Sequence, residues 1–275
     1  MAEVAAVAPV REALGSAADA LAAVGVEAPR LDAEVMLAAA MGRERAALMA
    51  SPDAAVSPPA ARLFGEMVRR RLRREPVAYI VGRRGFRRLD LAVDRRVLIP
   101  RPETELLVEV ALERAPTSVL DVGTGSGAIA LAVADELPGC AVTASDTSAA
   151  ALEVARANAE RLGLDDRVRF FAGTIPAAEE FDLVLANLPY VAATEWASLQ
   201  PEVRDWEPRE ALLAGADGLD AIRAVVAECR SAALALEVGE GQASVAAELL
   251  RDAGFARVET RRDLAGIERV VVGER

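Results

Sequence analysis

From residue 118 to residue 272 the chain repeats one pattern: a short apolar run, a turn, then a longer stretch with apolar residues at helical spacing. The runs at 119–122, 141–145, 168–171, 182–186 and 233–238 read as short buried strands, and helical stretches at 128–136, 149–162, 219–229 and 244–253 separate them. Strands alternating with helices predict an α/β fold with a parallel, doubly wound sheet. Strand-like segments at 257–260 and 269–272 follow the last helix and predict an antiparallel C-terminal edge.

The first 75 residues follow a different rule. Apolar residues recur at helical spacing over 10–24, ending at Gly25, and over 29–41, opening at Pro29 and closing at Gly42. A third helix is expected over 60–74, after Pro58 and Pro59, with Leu63, Met67 and Leu72 toward a core. These helices carry no grouping of reactive side chains, so packing or substrate recognition is their expected role. Over 76–99, Phe86, Leu89, Leu91, Val93 and Val97 alternate loosely with charges, as in a hairpin. The expected organisation is a helical domain at 1–75, a hairpin linker at 76–99 and a main domain at 100–275. Pro100 and Pro102 stiffen the second junction, and Glu103 or Thr104 is placed to cap the next helix or to line a site.

Composition narrows the chemistry. With 53% apolar and 27% charged residues, the chain has the make-up of a globular protein with a substantial core. It has no apolar stretch long enough to span a membrane, and its first residues lack the basic start and apolar core of a signal peptide. Cys140 and Cys229 are the only cysteines, so no disulfide framework is expected and a reducing cytoplasmic setting fits. The chain contains no His and no Lys. That excludes Ser–His or Cys–His hydrolysis, His-ligated metal, Schiff-base chemistry and a phosphate-loop Lys. No metal cofactor is expected. A net charge of −11 argues against stable, non-specific nucleic-acid binding. The charge is uneven, however: 12 Arg lie between Arg69 and Arg101 against Glu75, Asp90 and Asp94. That stretch is either a basic face for an acidic partner or a solvated surface.

The first strand leads into Asp121-Val122-Gly123-Thr124-Gly125-Ser126-Gly127, and a helix follows. Glycines there let the backbone approach a ligand at the carboxyl ends of the strands, and Asp146, at the end of the second strand, is placed to accept from both ribose hydroxyls. Gly123, Thr124, Gly125, Ser126, Gly127 and Asp146 are therefore candidate cofactor residues. The loop alone leaves two cofactors open, a methyl donor or a dinucleotide. Gly123-x-Gly125-x-x-Ala128 also satisfies the relaxed dinucleotide fingerprint.

Asn187-Leu188-Pro189-Tyr190 ends the fourth strand and favours methyl transfer. A planar amide or aromatic amino nitrogen is a poor nucleophile and must be held in line with the methyl group, its hydrogens on acceptors. The Asn187 side-chain oxygen and the Leu188 carbonyl, presented by the turn at Pro189, can accept those hydrogens, and Tyr190 can stack on the planar group. Positive charge developing on the nitrogen then faces those oxygens, with no proton base needed in the first step. Asn187, Pro189 and Tyr190 are the candidate catalytic residues.

At this point the chain resembles a known family, the peptide chain release factor glutamine methyltransferases, or HemK family. The resemblance rests on Arg30-Leu31-Asp32-Ala33-Glu34, Pro76-Val77-Ala78-Tyr79-Ile80 with Gly82, Phe86, and Leu98-Ile99-Pro100-Arg101-Pro102-Glu103-Thr104-Glu105-Leu106. Glu207-Pro208, Ala211-Leu212, Gly218-Leu219 and Glu237-Val238-Gly239 extend it. It implies methylation of the side-chain amide of the glutamine in the Gly-Gly-Gln motif of bacterial class 1 release factors 1 and 2. S-adenosylmethionine would be the donor and S-adenosylhomocysteine the product. By the same resemblance, Asn187, Leu188, Pro189, Tyr190 and Thr104 would meet the glutamine, and the N-terminal helices would grip the release factor. A cytoplasmic monomer without membrane attachment is expected. Two departures stand out. The family usually has Pro where this chain has Leu188, and Asn-Leu-Pro-Tyr is familiar from ribosomal RNA adenine methyltransferases, which makes RNA adenine N6-methylation the alternative. After the third strand, where the family commonly has an Asp near the adenine, this chain has Thr174 and Ile175, and Ile175 is a candidate to pack on the adenine.

Overall fold

The computed structural model describes residues 8–177 and 179–275. They form two compact units. One consists of the described residues up to Gly82 together with Pro201–Trp206; the other runs over Arg83–Gln200 and Glu207–Arg275.

The first unit is helical. Helices Val10–Ala23, Pro29–Met41, Arg45–Met49, Pro58–Arg71 and Val77–Val81 are joined by the short helix Pro201–Arg204. Leu14, Leu21, Met36, Leu37, Phe64 and Ile80 meet in its core. Two of its helices begin with Pro in the first turn, where the missing N–H loses no helical bond. The third helix therefore starts at Pro58 instead of residue 60, and it ends at Arg71. Arg74, beyond it, has φ 65°. Residues 77–81 form a helical turn instead of part of a hairpin, because Ile80 is drawn into this core and Gly82, at φ 74°, ends the turn.

Buried charge ties the unit together. Arg71 is 6% exposed and bridges Asp32 at 2.7 Å and Glu202 at 2.8 Å. Arg74 makes a two-pronged pair with the same Glu202 carboxylate, at 2.7 and 2.6 Å. Burial opposes ionisation of Glu202, but Arg74 and Arg71 outweigh it and hold the carboxyl below its usual range.

The second unit opens with a two-stranded hairpin, β1 (Arg83–Phe86) and β2 (Leu89–Ala92). The main sheet follows: β3 (Ser118–Val122), β4 (Ala141–Asp146), β5 (Val168–Ala172), β6 (Leu183–Ala186), β7 (Ala233–Glu237), β8 (Arg257–Arg262) and β9 (Glu268–Glu274). Its order is β5-β4-β3-β6-β7-β9-β8, with β3 to β7 parallel and β9 antiparallel to both β7 and β8. This is the doubly wound α/β sheet with an antiparallel edge. Strand order reverses between β3 and β6, and the crevice at such a reversal is where ligands bind in these sheets.

Both faces of the central strands are covered. Val119, Leu183, Leu185, Ala233 and Ala235 pack with helices Glu105–Arg114 and Ala128–Glu136. Leu120, Val122, Val184, Ala186, Leu234 and Leu236 pack with helices Asp220–Glu228 and Ala243–Asp252. Each fully buried Leu or Val contributes roughly 1.5–3 kcal/mol. Side chains alternate between faces, so a one-residue slip would swap both sets at once, and the register is pinned. Among the described residues no helix is long and apolar enough to cross a membrane.

The Arg71 bridge is open to test. Arg71→Ala leaves Asp32 without its cation and Glu202 with Arg74 alone, both largely shielded from solvent, and breaking such a bridge costs up to about 3–5 kcal/mol. Urea denaturation should show that loss. A change under 1 kcal/mol would mean the bridge contributes little.

Candidate active site

The loop after β3 is built around a carboxylate that never reaches solvent. Asp121 is fully buried; its Oδ2 accepts from the Thr124 hydroxyl at 2.6 Å and from the Ala130 backbone N–H at 3.1 Å. These two bonds tie the loop to the start of helix Ala128–Glu136. Oδ1 has no partner, and burial pushes the carboxyl up to about 7. Gly123, Gly125 and Gly127 have φ of 74°, 56° and 86°. At Gly127 a Cβ would also lie 2.8 Å from Leu131 Cδ1, so the turn requires glycine on two counts.

Asp146 lies at the end of β4. Its Oδ2 accepts from Gly125 N–H at 2.9 Å and its Oδ1 from Ser148 N–H at 2.8 Å. Ser148 in turn caps helix Ala149–Leu162 by accepting from Ala151 N–H. Two backbone donors thus hold the carboxylate still, and each oxygen keeps a lone pair for a further donor. A vicinal diol fits that acceptor pair.

Asp146, Gly123, Thr124, Gly125 and Ser126 line a cavity of about 320 Å³. Thr104, Asn187, Leu188 and Pro189 line it too, so most of the residues expected to hold the donor and most of those expected to hold the acceptor share one chamber. Sequence reasoning missed other parts of the wall: Thr147, Ser148 and Ala151 beside Asp146, and Ala221, Ala224 and Val225 on helix Asp220–Glu228. Only position next to Asp146 could have flagged the first three. Gly127, Ile175 and Tyr190 are not among the lining residues. Gly127 packs against Leu131, and Ile175 packs on the core beneath the sheet. Thr174 does line the cavity, and its carbonyl accepts from the Ser145 hydroxyl at 2.6 Å.

Asn187 is fixed through its nitrogen. Nδ2 donates to the Thr104 hydroxyl oxygen at 2.9 Å, which leaves Oδ1 as the free end of the amide. Thr104 is not a helix cap, since its side chain makes no capping bond to helix Glu105–Arg114. Leu188 is 7% exposed and belongs to the core beneath the sheet. A Cβ at Gly123 would touch its Cδ2 at 3.4 Å. Its side chain is therefore packed away, and its carbonyl belongs to the turn, which explains how Leu can stand in this tetrapeptide.

Tyr190 is held from behind. The Gln242 side-chain N–H donates to the Tyr190 carbonyl at 2.9 Å, while Gln242 Oε1 accepts from Gly239 N–H at 2.9 Å. At Gly218 a Cβ would sit 2.2 Å from the Tyr190 carbonyl oxygen, so only glycine fits there. Burial, reinforced by the nearby Glu237, pushes the phenol up to about 12, and it stays neutral near pH 7.

The segment before Thr104 is anchored by Glu207, whose side chain is 1% exposed. It accepts from Ile99 N–H at 3.1 Å and pairs with the Arg101 guanidinium. That fixes Pro100 at the cavity wall. The arginine-rich stretch around it is largely committed within each unit. Arg70 pairs with Glu75 in the first unit; Arg83 pairs with Asp90, Arg87 with Glu136, and Arg96 with Asp94 and Glu153 in the second. Among the described residues no cluster of His, Cys, Asp and Glu is arranged to hold a metal ion.

Residues 12–82 match the family model described as the PrmC N-terminal domain, and residues 102–200 match the methyltransferase small domain. The chain is 42% identical over 263 residues to the release factor glutamine methyltransferase of Geobacter sulfurreducens, covering 92% of each. It is 45% identical over 258 residues to that of Bordetella pertussis, covering 89% of this chain and 94% of the relative. The structure of the hMettl16 catalytic domain in complex with MAT2A 3'UTR hairpin 6 is similar in fold. It has a TM-score of 0.57 at 16% identity, over 80% of this chain and 82% of that one. With its helical unit, its α/β sheet and near-full-length relatives at over 40% identity, the chain belongs to the release factor glutamine methyltransferases.

Proposed function

We propose that this methyltransferase takes its methyl group from S-adenosylmethionine and delivers it to the side-chain amide nitrogen of the glutamine in the Gly-Gly-Gln motif of class 1 release factors 1 and 2. It works as a cytoplasmic monomer in this reading, and the helices up to Gly82 recognise the release factor. The observation that carries the site assignment is the bond from Asn187 Nδ2 to Thr104, which reserves Oδ1 for the acceptor. RNA adenine methylation is not favoured, since the close relatives are named for release factor glutamine.

When bound, S-adenosylmethionine supplies a methyl group made electrophilic by a sulfonium. Asp146 accepts from the ribose hydroxyls, and Gly123 to Gly127 let the backbone come close to the rest of the donor. Thr174 lines the cavity beyond β5 and can offer the adenine a neutral hydrogen-bond partner. Asn187 Oδ1 and the Leu188 carbonyl accept the two N–H groups of the glutamine amide and orient its nitrogen. Pro189 holds that carbonyl in place, and Tyr190 stacks on the planar amide and excludes water. As positive charge grows on the nitrogen, the two oxygens already face it and need not reorganise. The proton then passes to solvent.

Two variants separate the halves of the site. Asn187→Ala should lower kcat by about 100- to 1,000-fold, the usual effect of losing one preorganised electrostatic group. Donor affinity by calorimetry should move by no more than a few-fold. Activity above one-tenth of wild type would contradict the amide clamp. Asp146→Ala should do the reverse and weaken donor binding by roughly 10- to 100-fold, as expected for lost hydrogen bonds to a charged group. For the substrate, purified release factor and ribosomal RNA are each offered with labelled donor. Label should enter the release factor alone, and mass spectrometry should place it on the glutamine of Gly-Gly-Gln.

A further inference from the structure

We infer that Gln242 is a positioning residue for methyl transfer: its side-chain amide sets where the Tyr190 end of the acceptor clamp stands. This rests on the clamp role proposed for Asn187 to Tyr190.

The tetrapeptide is pinned at both ends. At one end Asn187 Nδ2 donates to the Thr104 hydroxyl oxygen at 2.9 Å. At the other, the Tyr190 carbonyl accepts from Gln242 Nε2 at 2.9 Å. The next residue is fixed as well: Val191 N–H donates to the Leu212 carbonyl at 2.8 Å, and its carbonyl accepts from Ala214 N–H at 3.0 Å. Only Leu188 and Pro189 lie between the two pins. The height of the Leu188 carbonyl and of the Tyr190 ring therefore depends on where Gln242 holds the far end.

Gln242 supports the ring too. Its Oε1 accepts from Gly239 N–H at 2.9 Å, just past the end of β7. Gly239 lies against the Tyr190 ring, since a Cβ there would stand 3.2 Å from Tyr190 Cδ2. One planar amide thus spans the Tyr190 carbonyl and the floor under its ring. The direction of that amide is forced, because a backbone carbonyl only accepts and a backbone N–H only donates. Nε2 also donates to the Asp217 carbonyl at 3.4 Å, which draws the turn before Gly218 into the same latch. There is little slack in it: a Cβ at Gly218 would lie 2.2 Å from the Tyr190 carbonyl oxygen and 2.7 Å from Gln242 Nε2.

Helix stability does not account for this residue. Gln242 occupies the N-cap position of helix Ala243–Asp252, yet its side chain makes no capping bond. Ser, Thr, Asp or Asn would serve the helix better there. What Gln offers instead is reach to Tyr190 and Gly239 at once. Neither Gln242 nor Gly239 lines the cavity that holds Asp146, so the effect falls on the acceptor side and not on the donor.

The test uses full-length enzyme, purified release factor and labelled S-adenosylmethionine. Gln242→Met keeps the length and loses both bonds. Gln242→Glu keeps an acceptor for Gly239 N–H and loses the donor to Tyr190. Each should lower kcat by about tenfold, the order expected when a lost hydrogen bond leaves a backbone group unpaired. Gln242→Asn, one methylene too short to span both groups, should do no better than Gln242→Met. KM for the release factor and donor affinity by calorimetry should stay within about threefold. If kcat of the Met and Glu variants stays within threefold of wild type, or if kcat, donor affinity and melting temperature all fall together, the inference is wrong. Asn187→Ala is measured alongside. If it is inactive while the Gln242 variants turn over normally, only this inference fails; if it stays active, the clamp reading fails and this inference falls with it.

Discussion

Burial of β3, β6 and β7 on both faces leaves few places where this chain can put chemistry. Every side chain within those strands after Ser118 is buried, so a polar group inside them must be fully satisfied or must sit at the strand end. Asp121, Asn187 and Glu237 all obey this. Each lies at or near the carboxyl end of its strand, and strand alternation directs all three toward the layer formed by helices Glu105–Arg114 and Ala128–Glu136. The opposite layer supplies apolar packing, including Leu188, and part of the cavity wall. One rule of alternation thus sorts the loop anchor, the amide and the buried Glu237 carboxylate onto one side.

Most of this sheet was legible in the sequence, because a strand buried on both faces reads as an uninterrupted apolar run. The runs around Leu120, Val184 and Leu234 each fell on a strand. Helix ends were less legible. Pro58 starts its helix two residues earlier than spacing suggested, and 77–81 coils into a turn because Ile80 finds a core that no local pattern reveals. Within the site, Asp146 and Asn187 could be picked out because their residue types at strand ends carry chemistry. Gln242 could not, since it acts on Tyr190, a neighbour brought near by strand order, and sequence distance says nothing about that order.

The arginines show how a chain without lysine and histidine manages its charge. Arg71, Arg87 and Arg101 hold carboxylates that are themselves buried or nearly so, and the planar guanidinium suits such sites because it can bond along two directions at once. A dense arginine run is therefore compatible with a chain whose net charge is −11. Of the run, Arg71 is buried and Arg74, Arg87 and Arg101 are partly so, while Arg69, Arg73, Arg83, Arg88, Arg95 and Arg96 face solvent.

Pro201–Trp206 belongs to the helical unit although more than a hundred residues separate it from the rest of that unit. Arg71 and Arg74 both close on Glu202, so the helical unit borrows a carboxylate from the methyltransferase half of the chain. A fragment cut after Gly82 would keep every helix encoded by its own sequence, yet Arg74 would lose its carboxylate partner and Arg71 would be left with Asp32 alone. The helical unit is thus not a freely portable module. Grafting it onto another catalytic domain would require bringing the later loop as well, and in a gene that constraint links two stretches that would otherwise be free to drift apart.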